Sequence, residues 1–336
     1  MSIYSDRSGC LLSFKQVSAL INDGGYYACA ADESVLARLP EGNWIGGTIP
    51  YFMGDAGGEV SRDKVYVQKI TMFKGIAKPE IISYTSATLP QMLIDAPDHG
   101  FSIILVPANS QVHSDFSRNS PGFEHMYMKP LLGWVTGVHL EDIELISPKV
   151  RNGLTGETHD DCALVMHCAL PENKVAMIDL VNLFEPGEGD TLTFPKTGFE
   201  TKDCFVNGEL VDFASYLDAE GIDTRLPLVA DYCGAMVNVS IQCVDLKQQS
   251  VSLYAPVFPD VEYHFAKEVD DYVNAFQQAL PQGLSGVDFS CNCILNYLYS
   301  ELEGKHTSKI QGPMTFGEIA YQLVNQTLVY MRIEDL

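Results

Sequence analysis

The most apolar run in the chain is Phe101-Ser-Ile-Ile-Leu-Val106. A run that short and that apolar fits a β-strand covered on both faces. It is far below the ~20 residues that a membrane-spanning helix needs. Such a strand must sit inside a sheet with one layer above it and another below, which points to a layered α/β protein.

The neighbouring periodicities agree. Residues 13–21 carry helical spacing, with Phe14, Val17 and Ile21 on one face and Gly24-Gly25 as the stop. Residues 26–31 read as a strand, and Asp32 caps a short helix that Pro40 closes. Val65–Ile70 alternates like a half-buried strand, and 163–168 and 175–183 read as further strands. The stretch 109–129 is polar and reads as a long, mobile loop holding His113, Ser114, Arg118 and His125. Val237, Val239, Ile241 and Cys243 point one way along a strand whose partner is 251–255, which makes a β-hairpin. Val269, Tyr272, Val273, Phe276 and Leu280 form one helix face. A strand at 287–290 runs into a helix over 293–303, and 326–333 is the last strand. The expected fold is therefore α/β (α+β): two halves of mixed, largely antiparallel sheets flanked by helices, in a layered sandwich. The boundary is placed near residue 200, at 1–200 and 201–336.

Length and charge narrow the function. A chain of 336 residues has ample core for two domains. Its formal net charge of -23 repels phosphate backbones and anionic lipid, so neither nucleic acid nor a membrane is expected as a partner. The nine cysteines are an odd count set mostly in apolar segments, and the start has no secretory leader. Reduced thiols in a cytoplasmic protein follow.

Three segments carry candidate chemistry. In the first, Asn43-Trp-Ile-Gly-Gly-Thr48, the paired glycines Gly46 and Gly47 admit close backbone or ligand approach. Asn43 and Thr48 offer hydrogen bonds there, and Trp44 and Tyr51 offer walls. Read without a ligand, the same segment is a tight turn between core elements. The second is Ser290-Cys291-Asn292, at a strand-to-helix transition where exposed N–H groups lower a thiol pKa. Its plainer reading is a pair of buried small side chains. In the third, Glu318 follows a glycine and Asn325 opens the final strand, so a carboxylate and an amide could meet around an amine or amide, or else satisfy backbone donors in a turn. Cys291 and Cys293 form C-x-C rather than C-x-x-C, and His159, Asp160, Asp161 and His167 are poorly spaced for one ion, so no metal or other cofactor is expected.

Phe289-Ser-Cys291, Gly312-Pro-Met-Thr-Phe-Gly-Glu-Ile319 and Asn325-Gln-Thr327, in that order, resemble the C-terminal portion of FIST domains. Val206-Asn-Gly208, Pro227-Leu228 and the 237–255 hairpin extend the likeness over about residues 205–333, and Ile45-Gly-Gly-Thr48 resembles that family's G-x-[ST] turn. Asn292-Cys293 replaces an arginine common in the family, which fits a divergent FIST-related bacterial branch. The resemblance implies an N-terminal-like half at 1–200 and a C-terminal-like half at 201–336. It further implies an intracellular sensory domain that binds a small metabolite such as an amino acid and signals to a partner protein. The ligand would contact Asn43, Gly46, Gly47, Thr48, Ser290, Cys291, Asn292, Glu318 and Asn325, gathered in one cleft, and a homo-oligomer stays open. Two alternatives stand beside it. One is a cysteine-dependent hydrolase or transferase with Cys291 as nucleophile and His113 or His167 as base. The other is a pocketless protein-interaction scaffold.

Overall fold

A computed structural model describes residues 9–232, 235–281, 284–307 and 309–336 of the chain. Strand outweighs helix, at 42% against 17%, and the architecture is mixed α/β without a barrel. Cys233 lies outside the described residues.

Three β-α-β units organise the main body. Each runs from a strand through a helix into a parallel neighbour. The first is Tyr26–Ala31, Glu33–Leu36 and Trp44–Thr48; the second is Gly100–Pro107, Gln111–Asn119 and Leu131–Thr136; the third is Phe289–Cys293, Ile294–Tyr299 and Gly312–Thr315. All other ladders among the described residues are antiparallel. Each unit belongs to its own six-stranded sheet.

The strand period of two explains the layering. Along Gly100–Pro107, Phe101, Ile103 and Leu105 enter the central core, while Ile104 and Val106 enter an outer core under helix Gln111–Asn119. Along Tyr26–Ala31, Ala28 and Ala30 face the central core, and Tyr27, Cys29 and Ala31 face the helices Phe14–Asn22 and Glu33–Leu36. The first two sheets therefore stack with helices outside each. The third sheet packs Phe289, Cys291, Cys293, Val329 and Met331 against the same central core. No helix among the described residues is long and apolar enough to cross a membrane.

The expected boundary at residue 200 does not divide the sheets. Lys174–Asn182 pairs along its length with Thr327–Asp335, and Glu318–Ala320 joins the sheet of Gly100–Pro107 through Leu131–Thr136. The separable piece lies inside the chain instead. Strands between Leu192 and Phe265 build one six-stranded and one three-stranded sheet around a core that is mostly theirs and that Ala108, Val135 and Leu323 of the body also enter. That module is inserted between Lys174–Asn182 and Phe289–Cys293, two strands of one body sheet.

Two local expectations also change. The presumed mobile loop at 109–129 contains helix Gln111–Asn119, because Ser110 Oγ accepts from His113 N at 3.1 Å and Val112 and Phe116 form a buried stripe one turn apart. The strand expected over 237–245 breaks at Ser240: Ala235–Val239 pairs with Leu228–Tyr232, and only Ile241–Asp245 makes the hairpin with Ser250–Val257. A bulge between Ile241 and Cys243 then turns Cys243 out to solvent.

Candidate functional site

The second β-α-β unit ends in a cavity. Strand Gly100–Pro107 gives way to Ala108-Asn109-Ser110, and helix Gln111–Asn119 begins at once. Asn109 turns the chain with φ of 60°. Carboxyl ends of parallel strands are where open α/β sheets place ligands. Here that end, with helix residues His113, Ser114 and Arg118, forms one wall of a cavity of about 330 Å³. The facing wall comes from the inserted module: Phe199, Glu200, Gln242, Ser252, Leu253 and Tyr254. Ile143 and Phe316 complete it.

His113 is the chemically unusual residue of this wall. It is 9% exposed, and its Nε2 is buried with no hydrogen-bond partner. Its ring centroid lies 5.6 Å from that of Phe199. Burial lowers its pKa to about 4, so the imidazole is neutral near pH 7. On the rim, the Arg118 guanidinium lies 5.7 Å from the Phe199 ring centroid. A buried nitrogen without a partner costs about 1–3 kcal/mol of desolvation.

The residues expected to share one cleft are separated. Gly46 and Gly47 sit mid-strand and serve packing. A β-carbon on Gly46 would meet the Trp44 ring, and one on Gly47 would come within 2.4 Å of Trp134 Cη2. Trp44 is wholly buried, with its indole N–H donating to Pro40 O at 2.9 Å, and Tyr51 accepts from Leu140 N at 3.1 Å. Asn43, at the far end of that strand, donates to Gly24 O at 3.4 Å. Thr48 accepts from Lys149 N at 2.9 Å and lines a different cleft, beside Arg151 and His159. Ser290 donates to Gln311 O at 2.5 Å and lines a third. Asn292 Oδ1 is engaged by Cys293 N at 2.7 Å and Asn296 Nδ2 at 3.0 Å.

Cys291 and Glu318 do come together, but as core. The Cys291 thiol donates to Gly133 O at 3.3 Å, is fully buried, and is pushed well above its ordinary pKa by desolvation, with Glu318 adding to the shift. Glu318 has no exposure. Its Oε2 accepts from Thr327 N at 3.3 Å and Thr327 Oγ1 at 3.0 Å, and its Oε1 lies 3.1 Å from Thr315 Oγ1. Burial outweighs these bonds and raises its pKa to about 8. Asn325 is buried beside this cluster's strands, donating to Val324 O at 3.2 Å.

Neither histidine named as a base for Cys291 faces it. His167 shares a strand face with Ala163 and Val165, in the outer core, whereas Cys291 lies in the central one. Its two ring nitrogens are engaged by Tyr84 OH at 3.0 Å and Ser102 Oγ at 2.8 Å. His113 belongs to the helix covering that same outer face. Desolvation holds the sealed Cys291 thiol protonated, and neither His113 nor His167 is placed to take its proton.

The model of a family of unknown function, DUF6976, matches residues 12–334. The chain belongs to the DUF6976 family. No curated protein shows significant similarity to it. The match takes in all three β-α-β units and the inserted module, so the cavity wall of this DUF6976 protein falls inside the family region on both sides.

The cavity residues were partly visible in the sequence. His113, Ser114 and Arg118 stood out as polar residues of the 109–129 stretch, and the Ser110 cap with Val112 and Phe116 was the signal for their helix. Nothing local marked Phe199, Gln242 or Ser252, because only the tertiary return of the module brings them to His113.

Proposed function

We propose that this DUF6976 protein is an intracellular receptor for a small metabolite, bound between the main body and the inserted module, with the occupied state read by a partner protein. The observation that carries this is a cavity with one wall from the main body and one from the inserted module, lined by the largely buried, neutral His113. The volume of about 330 Å³ lies in the range of small-molecule sites, ~300–1,000 Å³. The two walls come from different sheets of the chain, so a guest touching both favours one arrangement of them over others, which is what a sensor requires. The FIST-like order of segments supports the same reading. The eight described cysteines are free thiols, in keeping with a reducing compartment.

The test is a metabolite screen by thermal shift on the full chain, repeated on His113→Phe. That substitution keeps the ring and removes the orphaned nitrogen, so stability holds within about 1 kcal/mol or rises. The expected result is a hit whose shift shrinks or vanishes in the variant. A broad screen at millimolar ligand without any shift, or a hit indifferent to His113→Phe, rejects the receptor reading at this cavity.

A further inference from the structure

The lining also constrains what kind of molecule would be held, an inference that rests on the receptor reading above. Aromatic residues line both walls: Phe199 and Tyr254 from the module, and Phe316 from the body. Phe199 already has one cationic neighbour, Arg118, and one tilted ring, His113 at 55°. Flat π-faces of this kind select flat guests, since stacking is tolerant of ring identity but demands planarity.

Charge argues next. Arg118 and Glu200 are the only lining residues that carry a formal charge near neutral pH, and they cancel. Around them stands a protein of net charge -23. A phosphorylated or polycarboxylate guest finds one guanidinium, an opposing carboxylate and a repulsive field. A neutral guest meets no such penalty.

Hydrogen-bonding capacity completes the description. Asn109 and Gln242 line the cavity from opposite walls, and neither side chain has a hydrogen-bond partner among the described residues. A primary amide presents a donor and an acceptor side by side, which matches the donor–acceptor edge of a nucleobase. The neutral imidazole of His113 adds one further donor or acceptor.

We propose that the cavity binds an uncharged, planar heteroaromatic ring of nucleobase type, free or as its nucleoside, stacked on Phe199 and Phe316 and hydrogen-bonded along its edge by Asn109, Gln242 and His113.

The experiment is isothermal titration calorimetry on the full chain. The probes are the free nucleobases, adenosine, guanosine, cytidine and uridine, their 5′-monophosphates, and the free amino acids as a competing class. The expected result is binding of at least one base or nucleoside, with its monophosphate weaker. Phe199→Leu and Gln242→Ala should each weaken it by on the order of tenfold. Gln242 is exposed on an edge of the module, so Gln242→Ala stays informative if Phe199→Leu perturbs folding. Nucleoside binding untouched by Gln242→Ala overturns the proposal. So does binding of amino acids alone; if that binding is lost in His113→Phe, the receptor reading survives and only the ligand class falls. No binding from any probe also overturns the ligand class, and the wider metabolite screen then decides the receptor reading separately.

Discussion

Two buried residues show how much one atom decides in this molecule. Gly47 lies on the first sheet where it faces the second, and a methyl group there would stand 2.4 Å from Trp134 Cη2 and 2.6 Å from Thr136 Cγ2. Both neighbours are at most 2% exposed, so neither can retreat into solvent. Gly47→Ala is therefore expected to cost about 1–3 kcal/mol by overpacking, read as a lower urea midpoint at unchanged slope. An unshifted midpoint would show that the two sheets are not closely apposed there. Glu318 is a case of charge rather than volume. Its pKa of about 8 in the fold lies above the ordinary carboxylate value, so the folded protein holds a proton that the unfolded chain releases. That contribution to stability is complete below about pH 4.5 and is lost as the pH climbs to about 8. Glu318→Gln removes the titration. Whatever constant offset the amide brings through Thr315 and Thr327, the variant should gain on the wild type steadily between pH 5 and pH 8.5. Urea unfolding at the two pH values measures this, and an equal difference at both would place Glu318 in contact with water.

At the scale of elements, the sequence was most legible where one periodicity ran unbroken. Strands 26–31, 64–70, 100–107 and 163–169 follow their hydrophobic patterns closely, since each is held by both neighbours in a sheet. It was least legible where a single backbone event reset the pattern. The 237–245 stretch reads as one strand because Val237, Val239, Ile241 and Cys243 alternate, but Ser240 separates two sheets and the following bulge reverses the inside–outside order. Helix Gln111–Asn119 was hidden by its polar composition, in which two buried apolar residues, one turn apart, were too sparse a stripe to stand out. The proposed site inherits this: its helical wall reads as polar chain, and its module wall is hidden because strands 198–201 and 250–257 meet the helix only through long-range packing. The bulge makes a direct prediction. In the native protein a thiol reagent should label Cys243 ahead of Cys10, Cys29, Cys168, Cys204, Cys291 and Cys293, all of which are buried. Peptide mass mapping after brief alkylation reads the order, and early labelling of Cys291 would mean that its contact with Gly133 O opens readily.

For the whole molecule, the decisive feature is that the chain leaves its main body after Asn182, builds a module of two further sheets, and returns to close the sheet it left. A boundary near residue 200 falls inside strand Gly198–Thr201 of that module, and a linear reading assigns everything beyond it to a second half. The returning strands Phe289–Cys293, Gly312–Thr315 and Thr327–Asp335 belong to the first unit's sheets, and no periodicity encodes a strand's partner. The register from Lys174↔Asp335 to Asn182↔Thr327 joins chain segments about 150 residues apart, a long loop to close before the ladder stabilises anything. Cutting at residue 200 should consequently leave neither piece foldable. The 1–200 fragment keeps Lys174–Asn182 as an unpaired edge and loses the strands that carry Cys291, Glu318 and Val329 into the central core. The 201–336 fragment keeps those strands without the sheets they cover. Each piece made alone is expected to lack a cooperative thermal transition by circular dichroism, whereas the two coexpressed should associate and recover one. A cooperative melt from 201–336 alone would show that the C-terminal strands form a core of their own, and would overturn the inserted-module architecture on which the two-walled cavity depends.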